Sequence, residues 1–150
     1  MKKIFSIFLL MAVMAVSSIC YADISPSEVS LGGISPGTSK DYLVSVYGQP
    51  DDILYGKYGV ETYVYGGTFS IRFGGTSPSA IWVETMGNNG IGTPSGITVG
   101  MRESELTIYG IPQTIDYEDG VKIIRFWAPG RKALDFSVIN GIITHIKAVA

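Results

Sequence analysis

A recurring spelling constrains this chain more than any other feature. Gly33-Ile34-Ser35-Pro36-Gly37 leads into a segment stopped by Tyr47-Gly48-Gln49-Pro50, and Gly96-Ile97-Thr98-Val99-Gly100 leads into another stopped by Tyr109-Gly110-Ile111-Pro112. Self-similarity of this kind points to a tandem repeat. A unit of roughly 60 residues buries only a marginal share of its surface alone. The two copies are therefore expected to share an interface and fold together.

Each copy opens with a helix signal. In the first, Thr38 or Ser39 can accept a hydrogen bond from the first free helix amides, Leu43, Val46 and Tyr47 fall on one face, and Gly48 and Pro50 end the helix. In the second, the stretch from Met101 to Tyr109 is one residue shorter between its glycines, with Leu106 and Ile108 or Tyr109 expected inward. Strand patterns follow. Residues 52–55 and 62–65 flank Gly56-Lys57-Tyr58-Gly59, and residues 114–117 and 122–127 flank Glu118-Asp119-Gly120. Asp119-Gly120 is the stronger hairpin signal, because both residues tolerate positive φ. Period-two alternation continues through Phe69, Ile71 and Phe73, and again through Leu134, Phe136 and Val138, with final strands at 80–85 and 142–149.

Superposing the copies makes Phe69, Ile71, Phe73 and Ile81 the counterparts of Leu134, Phe136, Val138 and Ile146, 65 positions later, so all are expected in the core. Tyr63 and Tyr65 precede Ile124 and Phe126 by 61, which places four extra residues in the second copy near Ala128-Pro129-Gly130-Arg131. The expected fold class is α+β: two tandem helix-plus-antiparallel-sheet repeats, residues 23–90 and 91–150, their sheets joined into one curved sheet with the helices on one face. Residues 86–95 form the natural boundary.

Residues 1–22 read as a secretory signal peptide. Lys2 and Lys3 precede an apolar run from Ile4 to Val16 and the small-residue stretch ending at Ala22. The run is shorter than the roughly 20 residues of a membrane span. Cleavage after Ala22 leaves Asp23 first, and the alternative is a lipoprotein modified at Cys20, against which the bulky Ile19 argues. Cleavage removes the one cysteine, and with it any disulfide, thiol chemistry or cysteine-bound metal. Losing Lys2 and Lys3 takes the formal charge from -2 to -4. A mildly acidic chain is a poor nucleic-acid binder. The expected location is exported, periplasmic or secreted, with no stable membrane span after cleavage.

Strand alternation assigns Arg72, Trp82, Arg125, Trp127, Asp135, His145 and Lys147 to the face away from the helices. Trp and Arg offer large contact areas with directional polar groups, which makes Trp82, Trp127, Arg72 and Arg125 the candidate partner-binding residues. The tryptophans could equally fill the seam between repeats. His145 is the sole histidine and has no metal-ligand spacing around it. Asp116-Tyr117-Glu118-Asp119-Gly120 lacks the alternating oxygen ligands of a calcium loop. No catalytic residue, metal or cofactor is expected.

The string Gly33-Ile34-Ser35-Pro36-Gly37-Thr38-Ser39-Lys40-Asp41 running into Val46-Tyr47-Gly48-Gln49-Pro50 resembles the SmpA/OmlA (BamE-like) domain, and its duplication is similar to the arrangement of β-lactamase-inhibitor proteins. The resemblance implies a concave sheet face that binds another protein. The expected function is a non-enzymatic module recognising a protein or envelope component through that face. The alternatives are a BamE-like envelope assembly or scaffold factor, and a hydrolase using His145.

Overall fold

The computed structural model describes residues 23–150. The signal-peptide reading of residues 1–22, with Cys20 and the cleavage point after Ala22, lies outside the described residues.

The expected α+β fold of two helix-plus-sheet repeats is overturned. The protein is one eight-stranded antiparallel sheet: β1 (Asp52–Tyr55), β2 (Glu61–Tyr65), β3 (Phe69–Phe73), β4 (Ala80–Thr85), β5 (Thr114–Glu118), β6 (Val121–Ala128), β7 (Lys132–Ile139) and β8 (Ile142–Val149). The spatial order is β1-β2-β3-β4-β8-β7-β6-β5. Among the described residues the single α-helix is α1, Lys40–Tyr47, eight residues long. The remaining helical pieces are 3-10 turns at Pro26–Glu28, Lys57–Gly59 and Glu103–Tyr109.

Local chemistry explains why only one of the two glycine-framed segments is α-helical. Ser39 caps α1 by accepting a hydrogen bond from the Tyr42 amide at 3.2 Å, and the Gly48 amide closes the last turn on the Val44 carbonyl at 2.9 Å. In the second segment Arg102 stands at the cap position and makes no side-chain capping bond. There the Gly110 amide reaches only to the Thr107 carbonyl, a three-residue turn at 3.0 Å. With one residue fewer and no cap, the chain winds tighter.

The core lies on one face of the sheet. Phe69, Ile71, Phe73, Phe126, Leu134, Phe136, Ile143 and Ile146 are buried there, and α1 adds Leu43. A fully buried side chain of this size contributes about 1.5–3 kcal/mol. Tyr47 packs its ring against Phe69 at 5.2 Å, and Tyr109 packs against Phe126 at 5.3 Å. The stretch before α1 also joins this core through Ile24, Val29, Leu31 and Ile34. Its amides bond to later parts of the chain, Ile24 to the Trp127 carbonyl of β6 and Gly32 to the Gly92 carbonyl of the loop between β4 and β5, both at 2.9 Å.

Two expected inward positions are corrected, Ile81 and Val46. Ile81 is 39% exposed, because the register shifts between Arg72 and Phe73 and Ala80 takes the inward place beside Phe73. Val46 is also exposed, leaving Leu43 on α1 to face the sheet, and of the two options Ile108 or Tyr109 on the tighter turn it is Tyr109 that is buried, beside Leu106. The Asp119-Gly120 hairpin has φ of 49° and 81°, a left-handed pair that glycine accepts without strain at the second position.

Candidate functional site

The face opposite the core carries the chemistry. Cross-strand partners share a face, so the register reads directly as rows. One row runs Arg72, Trp82, Val149, Ala133, Trp127 across β3, β4, β8, β7 and β6. The next runs Ser70, Glu84, Lys147, Asp135, Arg125, Thr114 from β3 to β5. All four candidate binding residues, Trp82, Trp127, Arg72 and Arg125, stand on this face and are half-buried. Trp82 belongs to the strand at the junction of the two halves, whereas β8 and β7 separate it from Trp127. Three strand spacings put the tryptophan backbones about 14 Å apart.

The rings are held by cations, and two of those cations are held by carboxylates. Lys147 Nζ lies 4.5 Å from the centre of the Trp82 ring and Arg72 Cζ lies 6.0 Å from it, while Arg125 Cζ is 5.1 Å from the Trp127 ring. Each such contact is worth roughly 0.5–1 kcal/mol at a partly exposed site. Arg125 donates from Nε and a terminal nitrogen to both oxygens of Asp135, at 2.5 and 2.6 Å. That fork, more than any other cause, raises the Arg125 pKa above its ordinary value against the opposing effect of burial. Glu84 serves two neighbours, His145 Nε2 at 3.1 Å and Lys147 Nζ at 3.7 Å.

Exposure sorts these groups into a lower and an upper layer. The Glu84 and Asp135 side chains are only 13% and 14% exposed, against 35% for Arg125 and 29% for Lys147. Over these two rows, a partner laid on the face meets the cations before it meets Glu84 and Asp135. Arg72 makes no ion pair among the described residues. Sequence reasoning had placed Asp135, His145 and Lys147 on this face without their bonding, and had missed Glu84. Alternation would have found Glu84, since it lies two residues from Trp82 on the same strand. The hydrogen-bond partner of His145 is the Glu84 carboxylate, with Ser137 opposite it in register.

Comparison with solved structures places the fold. Over 84% of its length this chain is similar to a cysteine-rich secretory protein from Staphylococcus aureus subsp. aureus Mu50, with 14% identity and a TM-score of 0.58. Over 76% it is similar to an extracellular protein containing a SCP domain from Bacillus anthracis str. Ames, with 11% identity and a TM-score of 0.50. It spans 48% of the first of those chains and 43% of the second, so the shared fold covers less than half of either. These likenesses overturn the resemblance to SmpA/OmlA (BamE-like) domains and to β-lactamase-inhibitor proteins, whose short glycine-framed motifs are spellings for turns that a mostly-β sheet protein also uses. No protein-family model and no curated protein sequence matches the chain. No helix among the described residues is long and apolar enough to cross a membrane.

Proposed function

We propose that this chain is an exported, non-enzymatic binding module that recognises a protein or envelope component through the outer face of its sheet. The observation that carries the reading is the pair of rows in which Trp82 and Trp127 are fixed by Lys147, Arg72 and Arg125, above Glu84 and Asp135. Side chains held in place before binding lose less freedom when a partner arrives. The cations uppermost favour a partner that offers carboxylates or carbonyl oxygens, with Arg72 and Arg125 as its contacts. Export is supported by the pattern of residues 1–22 and by the secretory and extracellular descriptions of the two similar structures.

The test is capture from the envelope and culture-medium fractions of the source cells, with wild type compared to Trp82→Ala/Trp127→Ala. The expected outcome is loss of at least about tenfold in affinity for the captured partner, because central aromatic anchors dominate such interfaces. Unchanged capture by a variant with native circular dichroism and melting temperature would overturn the assignment of this face.

A further inference from the structure

The sheet is open, with β1 and β5 as its outer strands. What lies beside β5 sets it apart. An apolar cleft of about 130 Å³ opens between the 3-10 segment Glu103–Tyr109 and β5–β6, walled by Leu106, Pro112, Ile115, Ile124 and Phe126. Its origin is a change of side chain between the two halves. Where the first half has Tyr63 and Tyr65, whose hydroxyl donates to the Gly48 carbonyl at 3.0 Å, the second has Ile124 and Phe126, which carry no hydroxyl.

Backbone and charge point the same way. The two-residue turn at Asp119-Gly120 makes Glu118 with Val121 a hydrogen-bonded pair, and antiparallel alternation then does the same for Asp116 with Ile123. The N–H and C=O groups of Ile115 and Tyr117 are therefore directed away from β6. Side chains alternate too: Ile115 borders the cleft, while Asp116 and Glu118 project to the other face, and Asp119 adds a third exposed carboxylate at the turn. We propose that β5 is a docking edge for an extended polypeptide segment in which aliphatic and basic residues alternate. One aliphatic side chain enters the cleft beside Ile115, and the flanking basic residues face Asp116 and Glu118. A second copy of β5 is a poor occupant, since its own carboxylates would oppose these.

The probe is a fluorescein-labelled seven-residue peptide alternating lysine and valine, titrated into the full chain by fluorescence anisotropy beside a peptide alternating glutamate and valine. The lysine peptide is expected to bind at least about tenfold more tightly, to weaken with salt, and to slow amide exchange at Ile115 and Tyr117. Tyr117→Pro removes an outward amide and leaves the β6 ladder in place, so it is expected to cost at least about tenfold with an unchanged melt. Asp116→Lys/Glu118→Lys is expected to reverse the preference between the peptides. Equal affinity for both peptides, binding indifferent to Tyr117→Pro, or protection confined to β1 would each overturn the proposal. The tryptophan variant of the outer face is expected to bind the lysine peptide normally, which separates this edge from the face proposed above.

Discussion

Residues 38–48 and residues 101–110 meet the sheet in the same way and differ in how they coil. Each enters through a short bridge, Ser39 with Ser79 and Arg102 with Ile142. Each is preceded by a glycine amide bonded to a sheet carbonyl, Gly37 to Ala80 at 2.7 Å and Gly100 to Ile143 at 2.8 Å. Each ends on a tyrosine whose hydroxyl is tied to the preceding loop, Tyr47 to the Gly32 carbonyl at 2.7 Å and Tyr109 to Thr93 Oγ1 at 2.6 Å. Yet one segment is an α-helix and the other a tighter 3-10 turn. Their ion pairs to the sheet also run in opposite senses: Lys40 on α1 binds Glu61 of β2, whereas Glu103 on the 3-10 segment binds Lys122 of β6. Docking is the shared requirement and winding is free to vary. The reversed charges teach something further, because either segment laid on the wrong half would set Lys40 against Lys122 or Glu103 against Glu61. Like charges so placed disfavour the exchanged arrangement.

The largest test of this comparison is in the core. Leu43→Ala is expected to cost about 3 kcal/mol in urea denaturation, and Leu106→Ala less, because Leu106 already borders a cleft and loses fewer neighbours. Equal losses would show that the two segments pack alike despite their winding. Next comes an alkaline effect. Burial pushes the Tyr109 hydroxyl up to about 12, with the nearby Glu28 carboxylate adding to the rise, and burial raises Tyr47 as well. A phenol whose folded pKa lies above its unfolded value of 10.0 contributes stability that is complete below pH 10 and is lost as pH climbs toward 12. Tyr109→Phe should therefore flatten the fall of melting temperature across that window more than Tyr47→Phe does. An identical pH slope for the two variants would remove the distinction.

Two smaller effects sharpen the difference further. Ser39→Ala should destabilise by about 1 kcal/mol through the lost cap, while Arg102→Ala changes little, since Arg102 makes no capping bond. Thermal melts of both variants decide it. Reversing Lys40 alone should cost about 0.5–1 kcal/mol, with Lys40→Glu/Glu61→Lys returning most of it, as a partly exposed pair allows. A double variant no better than the single one would mean that the sheet positions, and not the pair, set the preferred charge.

Much of this was legible in the residues. The strands at 80–85 and 142–149, a helix cap at Thr38 or Ser39 and the Asp119-Gly120 turn follow from alternation and local chemistry, and the structure shows the strands, the turn and the cap at Ser39. Ile81 was illegible because its exposure depends on a register shift set by the neighbouring strand. The winding of Glu103–Tyr109 hinged on a missing cap and a single residue of length, a difference smaller than the spelling the two segments share. On the candidate face, the four named residues could be placed by parity alone. Their bonding could not, since Glu84 to Lys147 and His145 is a contact between strands some 60 residues apart in the chain.

The pairing of β4 with β8 has a consequence for how the protein assembles. Among the described residues, six of the seven strand pairings join strands adjacent in sequence, and only the pairing of Trp82–Thr85 with Ile146–Val149 joins strands far apart in the chain. Local hairpins form before a long loop can close, so this four-pair zip is expected to be the last step of folding. Because Trp82 lies on one side of it and Trp127 on the other, the outer face does not exist until the zip is shut. A ligand that spans both tryptophans would thus act as a sensor of completed folding, binding only the finished molecule and holding its two halves closed.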